Sequence, residues 1–262
     1  MVKVNPAVVF TLLWAAVLPL GLLIWWKRRT GAKLWCFLAG AVCFSLFAMV
    51  LEQMLHAVCI TGENRISEAI LASPVTFTLY GGLAAGLFEE TARLFGLKLL
   101  LRNHRGKECA VAYGIGHGGC EVLILIGINY LMLLLAQLGV FSGSESTGET
   151  LRATADAITW AGAGTAMFER VSAMMLHIGL SMIMFAAAKQ KGKLWLYPIA
   201  ILLHALADTP AGLYQYQGSP SVLFVEIFAL LGGLVSLFLG KKVIDGYTNP
   251  EKGCDSAVQD SQ

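Results

Sequence analysis

Two adjacent carboxylates, Glu89 and Glu90, are followed three and four residues later by Arg93, inside a stretch that is otherwise apolar from Ile70 to Leu101. Further on, His117 and Glu121 stand one helical turn apart, His177 follows Glu169-Arg170 by two turns, and His204 precedes Asp208 by one turn. Residues i and i+4 share a helical face, so each pair can present two donor groups to one place. Three imidazoles with several carboxylates suit a divalent metal, and zinc takes such ligands while leaving a position open for water. Water on such an ion becomes acidic enough to ionise near neutral pH. Glu89 or Glu90 can take that proton and return it to a leaving amine, with Arg93 keeping at least one of them ionised. The expected chemistry is hydrolysis of a peptide bond, with Glu89, Glu90, Arg93, His117 and Asp208 in catalytic roles and Glu121, His177 and His204 as metal ligands.

Each element also has a plainer reading. Glu-Glu-x-x-Arg spacing stabilises any solvated helix, and His117, set among Gly114, Gly116, Gly118 and Gly119, could be a core histidine bonded to a neighbouring carbonyl. Asp208 could orient His204 rather than react. Glu52 and His56 read as a structural pair. Glu169 and Arg170, about 20 residues from Lys189, are as compatible with an ion pair as with substrate binding, and Glu226 has no assigned role.

The elements that must carry these residues are membrane spans. The chain has 262 residues, of which 56% are hydrophobic and 14% charged, with a mean hydropathy of +0.67. That is too apolar for an ordinary soluble domain. Apolar runs of the length needed to cross about 30 Å of hydrocarbon fall at Pro6–Trp26, Leu34–Val58, Gly81–Leu101, Ala110–Leu135, Thr165–Ala188, Leu194–Leu213 and Ser221–Gly240. The fold expected is all-α, a polytopic membrane helix bundle of about seven transmembrane helices, with residues 1–248 as one integral membrane domain and 249–262 as a short disordered cytoplasmic tail. Lys and Arg cluster after the first, third, fifth and seventh spans, as in Lys27-Arg28-Arg29, Arg102, Arg105, Lys107, Lys189 and Lys241-Lys242. By the positive-inside bias the N-terminus lies outside and the C-terminus in the cytoplasm.

Counting from these basic residues gives a depth for each candidate group. Glu90 lies 12 residues before Arg102, His117 10 after Lys107, His177 12 before Lys189 and His204 11 after Lys193. At 1.5 Å per residue, all four sit roughly 15–18 Å from the basic face. Glu89, Glu121 and Asp208 fall within about a turn of that level. Unrelated structural histidines have no reason to align across four spans, so one polar site near mid-membrane is expected.

Other features complete the reading. The first span is a retained anchor rather than a signal peptide, since it ends in Trp25-Trp26-Lys27-Arg28-Arg29 and lacks a small-residue exit. Thr61 to Glu68 reads as a short outer loop. Pro74 and Gly81-Gly82 suggest a short outer helix or a break before the third span, and Thr209-Pro210 should end or kink the sixth. Phe141 to Ala157, rich in Ser, Thr, Gly and acid, reads as a mobile outer loop. The six cysteines contain no Cys-x-x-Cys pair and suggest no disulfide framework or thiolate metal site.

The chain resembles the YhfC-like family of intramembrane metalloproteases, relatives of the CAAX-prenyl and bacteriocin-processing endopeptidases and of the PrsW proteases. The motifs that carry the resemblance are Glu89-Glu90-x-x-Arg93, Gly116-His117-Gly-Gly-x-Glu121, Glu169-Arg170 with His177, and His204-x-x-x-Asp208, over roughly residues 1–245. The resemblance implies that the glutamate pair activates water and that His177 and His204 bind metal or stabilise an oxyanion, while Glu121 looks like the acidic position of the PrsW motif. It implies an enzyme, a membrane metalloendopeptidase of the bacterial cell membrane that uses a divalent metal, with zinc favoured. The expected partners are a membrane-associated peptide or protein substrate and the lipid bilayer, with no nucleic acid; oligomeric state is left open. Two other classes fit the same residues: a proton- or metal-coupled transporter, against which the lack of an inverted repeat counts, and a noncatalytic scaffold of the same fold.

Overall fold

The structure, a computed structural model, describes residues 4–141 and 145–247, and those residues form helices with no strand. In chain order they are α1 (Pro6–Thr30), α2 (Leu34–Cys59), α3 (Arg65–Leu71), α4 (Pro74–Leu100), α5 (Lys107–Gln137), α6 (Glu145–Ala157), α7 (Trp160–Lys189), α8 (Leu196–Gln217) and α9 (Val222–Asp245). Among the described residues six helices are long and apolar enough to cross a membrane, and α3 with α4, bent by 108°, makes a seventh candidate. The protein is an all-α, multi-pass membrane bundle. Its outward-facing residues are apolar, as with Val17, Val75, Leu223 and Phe238, each more than half exposed. In lipid this is the stable choice, because each helix satisfies its own backbone.

The spans alternate in direction, and contacts at both ends fix that arrangement. At one end Trp26 Nε1 donates to the Glu108 carbonyl, Lys107 Nζ to the Asp245 carbonyl and Lys189 Nζ to the Leu101 carbonyl. This is the basic end. At the other, Asn5 Nδ2 donates to the carbonyls of Ala155 and Ile158, and Tyr216 Oη donates to the Leu71 carbonyl. Helix α7 is the central element, with His177 through Ala187 almost wholly buried, and α4, α5, α8 and α9 pack around it.

Close packing depends on small residues, as expected where lipid gives helices no hydrophobic reason to associate. A Cβ at Gly116 would collide with the Phe37 carbonyl oxygen of α2, and one at Gly86 would come within 2.7 Å of the Ile201 carbonyl of α8. These two approaches bring α5 to α2 and α4 to α8.

The expected short outer helix and break before the third span are both present: α3 meets α4 at a 108° bend, where Ser73 caps α4 and Pro74 takes its first turn, while Gly81 and Gly82 lie inside a continuous helix. Other expectations are corrected. The presumed loop at Thr61 to Glu68 is helical from Arg65, with Asn64 forming a capping box with Ser67. Pro210 does not end the sixth span, because α8 runs on to Gln217 and stops at Gly218 in the left-handed conformation.

The segment up to Ala157 forms helix α6 from Glu145, not a mobile loop. Its polar composition masks a narrow apolar face, Leu151 and Ala155, which packs with Val8, Tyr130 and Leu133, and tertiary bonds add to it: Arg152 donates twice to the Ala136 carbonyl and Gln137 Nε2 donates to Asp156 at 2.7 Å. Cys36 and Cys109 form a disulfide between α2 and α5, which spacing could not reveal across 73 residues. The expected tail, 249–262, lies outside the described residues.

Candidate metal centre at mid-bundle

Helix α4 delivers Glu89, Glu90 and Arg93 within one turn. All three are buried, Glu90 and Arg93 completely. One position along the helix, about 100° of rotation, separates the fates of the two carboxylates. Glu90 turns toward α8, where its Oε1 accepts from His204 Nδ1 at 2.8 Å and from Arg93 Nη1 at 2.5 Å. Glu89 turns toward α5 and α7: His117 Nε2 donates to its Oε2 at 2.9 Å, and His177 Nδ1 stands 3.7 Å from the same oxygen.

Arg93 ties α4 to α7. Its Nη2 donates to His177 Nδ1 at 2.5 Å and its Nε to Ser181 Oγ at 3.3 Å, while Glu89 Oε2 lies 3.6 Å away. A guanidinium has donors only, so Nδ1 of His177 must be the bare acceptor nitrogen. The ring proton therefore sits on Nε2, which faces Glu121 Oε2 of α5. On His204, Nδ1 donates to Glu90, leaving the Nε2 lone pair free; it faces Glu89 Oε1 at 3.9 Å and Asp208 Oδ2 at 3.5 Å. A carboxylate behind an imidazole is the usual way to fix the tautomer of a metal-binding histidine.

Glu121 is held from its other side by Arg170, whose Nη1 donates to Oε1 at 2.5 Å and whose Nη2 reaches Glu169. Of the two readings open for Glu169 and Arg170, the ion pair is formed, and the long Arg170 side chain also bridges to Glu121. Ser181, one turn beyond His177 on the same face of α7, was not singled out in the sequence; its i,i+4 spacing from His177 was the available signal.

A cavity of about 110 Å³ opens at this point, lined by Glu89, Glu121, His177, His204 and Asp208, with Arg170 and Glu169 on its rim. Glu90, Arg93 and His117 do not line it. The expected site residues thus fall into two groups: five border the cavity and three stand behind it. Within the first group, one ligand atom each from Glu89, His177 and His204 lies within 4.8 Å of the others. Glu121, expected as the third ligand, is outside that trio and touches it through His177. Glu52 and His56 form the expected pair at 3.3 Å, with Tyr80 on the other ring nitrogen. Glu226 is buried on α9 with no bond to its Oε2, and we have no physical account of it.

The donor set fits a divalent metal. One carboxylate and two imidazoles are the ligands of an open catalytic zinc site. The surrounding charge agrees: Glu89, Glu90, Glu121, Glu169 and Asp208 face only Arg93 and Arg170, so an ionised cluster is short of positive charge, which a cation would offset. Glu90 Oε2 is buried and unpartnered, as is Nδ1 of His117.

Fold and site together define a class: a multi-pass helical membrane protein with a buried imidazole and carboxylate centre between its spans. The family model described as YhfC intramembrane metalloprotease matches residues 14–229, and the chain belongs to that family. It is also similar to a Bacillus subtilis (strain 168) protein described as "Uncharacterized membrane protein YhfC", at 33% identity over 253 residues, covering 89% of this chain and 95% of that one. No solved structure matches.

Proposed function

We propose that this chain is an intramembrane metal-dependent endopeptidase that hydrolyses a peptide bond of a membrane-associated substrate at the mid-bundle cavity. The observation that carries the reading is the convergence of Glu89, His177 and His204 to within 4.8 Å on the wall of a cavity that Glu121 and Asp208 also line. Those three residues hold the ion in this reading, with zinc the favoured metal. When bound, such an ion acidifies water and polarises a carbonyl oxygen.

The remaining steps belong to the chain. Asp208, half-buried on the cavity wall and 3.5 Å from His204 Nε2, takes the proton of the attacking water and passes it to the leaving amine. Glu90 is sealed from the cavity between Arg93 and His204, so its role is to hold His204 with Nε2 forward. For His177 to hold the ion, the ion would take the Nδ1 lone pair in place of the Arg93 Nη2 bond, while Glu121 keeps the ring proton on Nε2, and His117 orients Glu89. The lysine and arginine bias supports a cytoplasmic basic end.

The test is metal content per chain in purified, detergent-solubilised protein, beside cleavage of added peptides. About one zinc-class ion per chain, lost in both His177→Ala and His204→Ala, is the expected result. Folded wild-type protein that takes up no metal after loading overturns the reading.

A further inference from the structure

A second cavity, about 440 Å³, lies against the first on the side away from the basic end, and the two share Asp208 and Ala211. Its walls come from three helices and one flanking residue: Gln53 and His56 of α2 with Ile60 just beyond its end, Phe77, Tyr80, Gly81 and Gly82 of α4, and Gly212 and Gln215 of α8. Nothing in the metal centre requires this space.

We propose that this cavity is the subsite that receives the substrate on one side of the scissile bond, and that it selects an uncharged segment bearing an aromatic or long aliphatic side chain. The proposal rests on the peptidase reading and adds the substrate class. Three features support it. First, the volume lies in the range that binds small ligands. The distance from Asp208 to Gln215, seven residues along α8, is about 10 Å, room for about three extended residues.

Second, the chemistry of the walls is divided. Phe77 and Tyr80 offer aromatic faces, while Gln53 and Gln215 are exposed amides able to bond a peptide backbone, which otherwise goes unsatisfied at membrane depth. No free charge waits for a charged side chain away from the junction: His56 is taken by Glu52 at 3.3 Å and by Tyr80 Oη at 2.8 Å. Asp208 stands only where the two cavities meet.

Third, Gly81 leaves the space open. A Cβ there would meet nothing within 4 Å, whereas one on the adjacent Gly82 would come within 2.8 Å of the Ala205 carbonyl oxygen. Packing requires the second glycine but not the first. A side chain at position 81 would enter the cavity without disturbing the helices.

The experiment uses full-length protein in detergent with metal removed by chelation, so that binding is read without cleavage. The probes are fluorescent, acetylated and amidated Ala-Ala-X-Ala-Ala peptides with Phe, Leu, Asp or Lys at X. Wild type should bind the Phe and Leu peptides about tenfold more tightly than the Asp and Lys peptides, the margin expected from burying one large apolar side chain. Gly81→Ala should narrow that preference and Gly81→Leu should abolish it, while both variants melt with wild type and load the same metal.

Equal binding of all four peptides, tightest binding of Lys, or an undiminished preference in Gly81→Leu would each overturn the proposal. Should the preference appear as expected while metal-loaded protein cleaves none of the peptides or longer hosts, the subsite stands and the peptidase reading falls.

Discussion

Arg93 and His177 meet at 2.5 Å across two helices, the guanidinium donating to Nδ1 of the imidazole. The same side chain meets Glu90 at 2.5 Å through its other terminal nitrogen, so one buried cation fixes both a carboxylate and a ring tautomer. Lysine cannot reproduce this fork, since its ammonium is a compact point charge. Arg93→Lys is expected to lower unfolding stability by about 3 kcal/mol, the scale on which a broken buried pair is felt. Thermal melting in one detergent compares it with wild type; an unchanged melt would show that Arg93 does not organise the centre.

The adjacent glutamates should respond differently. Glu90 touches His204 from behind, and removing such a partner typically weakens metal affinity by about 10- to 100-fold. Glu90→Gln should therefore bind metal with reduced affinity and the same stoichiometry. Glu89→Gln, which removes a proposed ligand on the cavity wall, should abolish stoichiometric binding. Chelator competition separates the two outcomes, and equal effects would contradict the division between cavity wall and support.

How far this was legible follows from the kind of signal each part leaves. Apolar runs announce spans, and charged or imidazole side chains inside them announce a site, so the membrane class and the common depth of Glu90, His117, His177 and His204 could be read in advance. The facing of neighbours could not. Glu89 and Glu90 differ by one position, which on a helix is about 100° of rotation, and only the positions of α5, α7 and α8 decide which one borders the cavity. For Arg170 the ion-pair reading holds, but its partner Glu121 could not be named in advance, because depth was counted at the backbone while reach belongs to the side chain.

Helix α6 leaves a weaker trace, because its apolar face is only Leu151 and Ala155 and tertiary hydrogen bonds supply the rest of its hold. Asn5 caps α1 through Ala7 N and donates to Ala155 and Ile158. Asn5→Ala removes all three and should destabilise the protein by about 1–2 kcal/mol. It should also expose residues 145–157 to proteolysis. Cleavage in that segment that is equally fast in wild type and variant would mean that α6 does not depend on this anchor.

The Cys36–Cys109 link gives a direct chemical test of helix placement. Alkylation of the denatured, unreduced protein should label Cys43, Cys59 and Cys120 and leave Cys36 and Cys109 unmodified, with both labelled after reduction. Peptide mapping by mass reads the result. Labelling of both without reductant would remove the covalent tie between α2 and α5.

Metal binding should depend on pH with a defined sign. His177 and His204 must each offer a bare nitrogen, and a proton competes for it, so binding releases protons and weakens as pH falls. The carboxylates compete in the same direction, which means that no group in the proposed set favours binding in acid. Affinity measured by chelator competition between pH 8 and pH 5 should fall monotonically, and thermal protection by zinc should fall with it, because a ligand stabilises only in proportion to its occupancy. His204→Ala protein should show no thermal protection by added zinc at any pH. An affinity that stays flat across this range would mean that imidazoles are not ligands, and the centre would then need a different donor set than Glu89, His177 and His204.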